Sequence, residues 1–289
     1  MELVKGHLLY LFLVFLRPIF GQLVTNVDGV LIGIKKHLTP IIEYQLEQDL
    51  IHGGEWPDKP SDLITWLLDS AKASGEECTL HNMAKCVVVF SFASTYLSAV
   101  AFTQALYELC KRPEYIQPLL DKAQSVMKNS GQVKWSKAAV GEMFKTNSFL
   151  CETQRYNGLG LVLLSRRVLQ PFVFSDAQGT TLLPSMHLCI NAWGNYRDDA
   201  YYHNPPAEVF DGFRFSQPTG DPESAQEDQP LQLLMATPTL EYNTFGYGRP
   251  ACPGCFFAVA ELKLMLGYML TTYDFKFLPK WAKAKPQMV

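Results

Sequence analysis

The sequence predicts a mainly helical protein with small β-hairpins, an α+β fold, and three observations carry that expectation. Apolar residues at helical spacing fill most of the chain. One short segment, Val168 to Pro184, instead alternates around the turn residues Asp176 and Gly179. A Gly-rich block stands immediately before the last helical stretch. With 48% hydrophobic residues among 289, the chain can bury a sizeable core, so disorder is not the default.

The elements follow in order. A helical pattern runs from Val27 to Leu50, and His52 to Pro60 then breaks it with Gly and Pro. Ser61-Asp62 supplies a capping start for a helix from Leu63 to Ser74. A long helix spans Leu80 to Lys111 and ends before Pro113. Its middle, Val87 to Phe102, is apolar on nearly every face, which predicts a core helix enclosed by protein on most sides. Helices are expected from Tyr115 to Asn129 and from Lys137 to Tyr156, then a hairpin formed by Val168–Phe174 and Leu182–Pro184. Tyr196 to Pro230, rich in Asp, Asn, Pro and Gly, reads as a long irregular segment. A final helix covers Phe256 to Tyr273, no internal repeat is visible, and the chain reads as one domain over 1–289.

Composition narrows the function classes. A net charge of -3 with acids and bases interspersed gives no field that would gather nucleic acid. Seven cysteines, an odd number scattered through apolar stretches, read as free buried thiols in a reducing compartment, hence intracellular and not secreted. The run Leu8 to Leu16, between Lys5 and Arg17-Pro18, is shorter than the roughly 18 residues that span a bilayer. It reads as a buried or membrane-grazing helix, with a signal or membrane anchor as the alternative.

The densest chemical signal is Phe245-Gly246-Tyr247-Gly248-Arg249-Pro250-Ala251-Cys252-Pro253-Gly254, just before the final helix. A thiolate needs positive partners to stay ionised, and Arg249 and the amino end of the following helix both supply them. Gly246 and Gly248 allow a tight turn beneath a flat ligand, and Gly254 allows close approach of helix and ligand. Cys252-Pro253-Gly254-Cys255 is also a C-x-x-C, which reads as a redox dithiol or half of a zinc site. No other cysteine pair has that spacing, and a zinc site wants a second pair.

The block resembles the haem-binding loop of the cytochrome P450 family, Phe-Gly-x-Gly-x-x-x-Cys-x-Gly, at Phe245, Gly246, Gly248, Cys252 and Gly254. That resemblance implies haem b (iron protoporphyrin IX) with Cys252 as the axial iron ligand, Arg249 on a propionate and Phe245 near the sulfur. Upstream, Glu152-Thr153-Gln154-Arg155 is similar to the family's Glu-x-x-Arg helix. Phe210-Asp211-Gly212-Phe213-Arg214-Phe215 resembles its meander, in the manner of fungal members. Together they imply a cluster in which Glu152 accepts the guanidinium forks of Arg155 and Arg214. Apart from the resemblance, Glu152 and Arg155 read as a surface i,i+3 pair worth about a few tenths of a kcal/mol. Arg166 or Arg167 stands where the family often places a second basic residue on a propionate.

The long helix resembles the family's oxygen-activating helix. At Ala93 to Ser98 it departs from the Ala-Gly-x-acid-Thr-Thr signature: Tyr96 stands at the acid position, Leu97 at the first threonine, and Ser98 alone keeps a hydroxyl. Ser98 and Tyr96 are the expected distal catalytic residues, and a shifted register would bring in Thr95 or Thr103. The resemblance covers the C-terminal portion of the fold, so an N-terminally truncated member is expected, with the apolar faces of residues 87–102 left bare. The implied function is a haem-thiolate monooxygenase acting on an apolar small molecule with electrons from an NADPH-dependent reductase, in fungal secondary-metabolite biosynthesis. The implied location is the cytoplasmic face of the endoplasmic reticulum membrane or the cytoplasm. The rival reading is a catalytically inactive remnant that binds a partner.

Overall fold

The computed structural model describes residues 27–53, 56–75, 79–129, 135–176, 179–216 and 235–277. The Leu8–Leu16 run and the second half of the expected irregular segment, residues 217–230, lie outside them. The chain divides into two compact units, Met1–Ala93 and Ser94–Val289.

The first unit contains α1 (Val27–His52), α2 (Leu63–Ser74) and the start of α3 (Leu80–Lys111). α2 begins as the sequence predicts: the Thr65 amide donates to the Asp62 carboxylate at 2.9 Å, and Gly75 closes the helix in the left-handed conformation. The second Asp62 oxygen accepts from Gln45 Nε2 at 2.9 Å, so the residue that starts α2 also ties it to α1. Ile42, Ile64, Leu68 and Met83 form the buried core of this unit.

The buried residues of α3 gather at its two ends, Met83 and Ala84 at one, Ala101, Ala105 and Leu109 at the other. Between them Val89, Phe92 and Leu97 are 64%, 58% and 47% exposed. A helix that is apolar all round needs neighbours on every side; among the described residues that expected enclosure is incomplete, with apolar surface exposed between Val89 and Leu97, whereas Val87, Ala101 and Phe102 are packed.

The second unit starts with the rest of α3, where Ala101, Ala105 and Leu109 recur every four residues and form one packed stripe. A 3-10 turn (Pro113–Tyr115) leads to α4 (Ile116–Asn129). The helix expected over Lys137 to Tyr156 is two, α5 (Lys137–Gly141) and α6 (Phe144–Asn157). Ser136 caps α5 by accepting from the Ala139 amide at 3.1 Å, and the chain breaks after Gly141, the poorest helix former in the stretch.

Two antiparallel pairs follow: β1 (Leu163–Arg167) with β4 (His187–Ile190), and inside it β2 (Phe172–Val173) with β3 (Thr181–Leu182). The inner pair is the expected hairpin. The outer pair gives no alternating pattern because β1 carries an irregularity between Leu163 and Arg166, with Leu164 at a φ of 53°. A short α7 (Ala192–Asn195) precedes residues 196–216, irregular except for a 3-10 turn (Arg214–Ser216), and α8 (Cys255–Thr272) closes the fold.

Leu119 of α4, Phe149 and Leu150 of α6, and Leu262, Leu266 and Leu270 of α8 form the core of the second unit with the α3 stripe. α3 and α8 are long and apolar enough to cross a membrane by length and composition alone, but α8 buries its leucines inside this core.

Lys263 of α8 is also buried, donating to the Val140 carbonyl at 3.3 Å. Burial pushes its pKa down, below the ordinary 10.5. The unfolded chain then binds more protons than the folded one between the two values, so stability rises with pH across that window. Lys263→Met should raise the midpoint of urea unfolding at neutral pH, and the advantage over the wild-type chain should shrink as the pH approaches 10.5. An advantage independent of pH would show that the charge is not what the variant relieves.

Candidate functional site

α6 is buried along almost its whole length, and most of its polar side chains are paired within the protein, Thr146 Oγ1 and Gln154 Oε1 being exceptions. Arg155 lays its fork on Glu152, Nε to Oε2 at 2.7 Å and Nη2 to Oε1 at 2.7 Å, with both side chains fully buried. Arg214 joins from residues 196–216, its Nε 3.3 Å from Glu152 Oε2, and the Asp211 amide donates to Oε1 at 2.9 Å. The remaining Arg214 donors go to the carbonyls of Val209 (2.7 Å), Pro206 (3.2 Å) and Pro205. Glu152, Arg155 and Arg214 thus come together around one carboxylate, and burial of Glu152 excludes a surface pair. Gly212 fixes the approach: a Cβ there would stand 2.8 Å from both the Phe149 and the Tyr115 ring.

The Cys252 loop turns on two glycines, Gly246 at a φ of 82° and Gly248 at 70°, conformations a side chain rarely adopts. The Gly246 amide donates to Asn243 (2.8 Å), the Ala251 amide to Gly248 (3.0 Å) and the Cys252 amide to Phe245 (2.8 Å). Phe245 packs against the core while Arg249 and the Cys252 thiol are exposed. α8 starts at Cys255, three residues beyond Cys252, and Gly254 is its N-cap.

The free cysteines are not uniformly buried, contrary to expectation: Cys151 and Cys255 are buried, Cys86 and Cys110 half-buried, Cys189 and Cys252 exposed. Burial pushes the Cys151 thiol up to about 12, which keeps it protonated. In the C-x-x-C, then, one thiol faces solvent and the other is enclosed in the core. Among the described residues no three His, Cys, Asp or Glu side chains are placed to hold a metal ion. A single exposed thiol beside a glycine turn, without further protein ligands, suits an iron that arrives with its own equatorial donors, as haem does, and does not suit a bare zinc ion.

Arg166 and Arg167 are both exposed on β1. Arg167 donates to Ser185 Oγ at 3.3 Å, and Arg166 to the adjacent Ser165 carbonyl at 2.8 Å. A Cβ at Gly246 would lie 3.6 Å from Leu164, so β1 borders the loop. On α3, Ser98 is buried and donates to Glu261 Oε2 of α8 at 2.7 Å, while Tyr96 is half-buried and Leu97 exposed. Glu261 carries no sequence signal. Glu108 carries only a weak one, its i,i+4 spacing to Arg112, which is common on helix surfaces. It is fully buried, pairs with Arg112 and accepts from Asn157 at 3.2 Å, and the Arg112 guanidinium lies 4.1 Å from the Phe210 ring centre.

Glu152→Gln leaves two guanidinium groups without their anion in the interior, and should cost about 3–5 kcal/mol in denaturant unfolding. Gly212→Ala should cost about 1–3 kcal/mol by forcing the Phe149 and Tyr115 rings apart. A change of a few tenths in either would contradict the packing described.

The family model "Cytochrome P450" matches residues 1–288. Cytochrome P450 monooxygenase 151 of Postia placenta is 34% identical over 277 residues, 96% of this chain and 53% of that protein. An ent-kaurene oxidase of Gibberella intermedia is 36% identical over 233 residues, 80% of this chain and 42% of its own. Cytochrome P450 monooxygenase olcJ of Penicillium canescens is 32% identical over 94% of this chain and 49% of its own. The chain spans about half the length of the curated relatives it matches. With a family model matched along nearly all of its length and relatives above 30% identity, the chain belongs to the cytochrome P450 family.

Proposed function

We propose that this chain is the haem-thiolate part of a monooxygenase that inserts one oxygen atom from O2 into an apolar small molecule. The observation that carries this reading is the exposed Cys252 thiol on a loop held by two left-handed glycines at the start of α8. Haem b bound there would supply activation of O2 at an iron made electron-rich by its thiolate ligand. Cys252 would hold the iron through its thiolate and Phe245 would shield the sulfur. Gly246, Gly248 and Gly254 would leave room for the macrocycle, and Arg249, with Arg166 or Arg167, would meet the propionates.

On α3, Ser98 and Tyr96 are the candidate proton-handling groups. The Ser98 hydroxyl donates a hydrogen bond to Glu261, so a carboxylate backs it at 2.7 Å. Electrons would come from an NADPH-dependent reductase, and the location would be the cytoplasm or the cytoplasmic face of the endoplasmic reticulum. The relatives are fungal and one is named an ent-kaurene oxidase, which supports a role in fungal secondary metabolism.

A second reading, a member that holds haem or a partner without turnover, is favoured by the exposed Leu97 and the uncovered middle of α3. Reconstitution with haem, followed by reduction and carbon monoxide, tests the first: the wild-type chain should give the red-shifted thiolate Soret band and Cys252→Ala should lack it. No such band in the wild-type chain overturns haem-thiolate binding. With a reductase and an apolar substrate, hydroxylated product formed as reductant is consumed supports the monooxygenase, and no consumption of reductant and no product support the second reading.

A further inference from the structure

The carboxylate cluster around Glu152 and the Cys252 loop are separate constellations in the sequence, and one side chain spans the gap between them. Tyr196 is buried, with 3% of its surface exposed. At its backbone end, the carbonyl accepts from Arg155 Nη1, the one terminal nitrogen of that guanidinium that does not face Glu152. At its other end, the hydroxyl donates to Asn243 Oδ1 at 3.0 Å, accepts from the Asn243 amide at 3.3 Å, and lies 3.3 Å from Thr244 Oγ1. With its one proton committed to Asn243, the hydroxyl takes the Thr244 contact as acceptor.

Asn243 and Thr244 are the two residues before Phe245-Gly246. The Asn243 carbonyl receives the Gly246 amide, and the Phe245 carbonyl receives the Cys252 amide. Hydrogen bonds therefore lead from Glu152 through Arg155 and Tyr196 to Asn243, and the backbone of residues 243–246 carries the connection on to Phe245, whose carbonyl holds the Cys252 amide.

Two neighbours reinforce the same crossing. Asn195 Nδ2 and the Tyr202 hydroxyl both donate to the Glu241 carbonyl, at 3.1 and 2.8 Å, and the Arg155 guanidinium lies 4.9 Å from the Tyr202 ring centre. Tyr196 and Tyr202 thus meet Arg155 on one side and the approach to the cysteine loop on the other, and Asn195 adds a further bond to that approach. Packing alone does not require this: the Tyr196 ring stacks at 6.2 Å on Tyr242, a contact that phenylalanine would make equally well. What a tyrosine adds is a buried hydroxyl with all of its partners in one short segment. Burial keeps that hydroxyl neutral, with its pKa raised above the ordinary value, so it remains a donor at any physiological pH.

We propose that Tyr196 is a positioning residue that transmits the placement of the Glu152–Arg155 pair to the Cys252 loop and so fixes where the thiol sits. The proposal rests on the reading of Cys252 as the haem ligand, but its geometry is a property of the protein without haem. Tyr196→Phe keeps the ring and removes the strut.

In the haem-free chain, amide hydrogen exchange should quicken at Gly246 and Cys252 by about five- to tenfold, the scale of one lost internal hydrogen bond, while the amides of α6 keep their rates. Thr244→Val, which removes only a partner hydroxyl, should act at the same two amides, and the double variant should be less than the sum of the singles. After haem reconstitution, Tyr196→Phe should take up as much haem as the wild-type chain but show a smaller fraction of the red-shifted carbon monoxide band.

Unchanged exchange at Gly246 and Cys252 in Tyr196→Phe, equal acceleration in α6, or strict additivity with Thr244→Val would each overturn the strut. If Tyr196→Phe fails to fold, Thr244→Val alone decides, since its partner ring is intact. Absence of the thiolate band in the wild-type chain, with the exchange pattern as expected, would overturn the haem reading and leave the strut standing.

Discussion

One buried carboxylate organises the functional half of this chain. Glu152 sits in the interior with two guanidinium groups and a backbone amide on its oxygens. Charges placed there are tolerated only with their full set of partners, because the interior returns little of the hydration they lose. The demand for partners is what shapes residues 205–214: three carbonyls converge on Arg214 and a glycine is required at 212, and the only helical turn there is the 3-10 turn that begins at Arg214. The segment is ordered by electrostatics and hydrogen bonding more than by a ladder or a helix.

From that anchor outward the molecule divides in character. The C-terminal unit has a continuous core built by α3, α4, α6 and α8, a buried charge cluster with its partners around it, and a cysteine loop tied back to the core through Phe245. The middle of α3, by contrast, shows large apolar side chains to solvent. An apolar surface of this kind is thermodynamically unsettled and becomes favourable when something covers it. The residues expected to handle protons, Ser98 and Tyr96, stand next to that surface, whereas the residues expected to hold haem stand on the well-packed side. The Glu108–Arg112 pair belongs to the packed end of α3, where Arg112 stacks on Phe210.

How much is legible in the sequence follows from how local each signal is. The cysteine loop is readable because its constraints are local: two glycines must adopt left-handed angles, and a helix must start just after the thiol. The capping of α2 by Asp62 is readable for the same reason. The Glu152, Arg155 and Arg214 cluster is readable only through family resemblance, because the i,i+3 pair by itself says nothing about burial. The strand pair β1–β4 escapes because its irregularity removes the alternation that announces a strand. The break at 142–143 escapes because only one glycine marks it. Glu261 and Tyr196 escape altogether: their partners are 163 and 47 residues away in sequence, and no spacing rule reaches that far. The enclosure expected for α3 fails because an all-round apolar pattern reports what a helix needs and not what surrounds it.

The extra residue in β1 has a consequence for how the region can change over time. Leu163 pairs with Ile190 and Arg166 with Leu188, so β1 uses three residues where β4 uses two. Directly paired residues of an antiparallel ladder project to the same face, so the bulge lets Arg166 and Arg167 stay opposite Leu188 and His187 in spite of the extra residue. Deleting a single residue between 163 and 166 would restore a regular ladder and keep those two pairs. What it would remove is the local bend and added twist that a bulge gives its strand. Leu164 lies in that bulge and borders Gly246, so the deletion would be felt at the Cys252 loop and not in the pairing of the arginines.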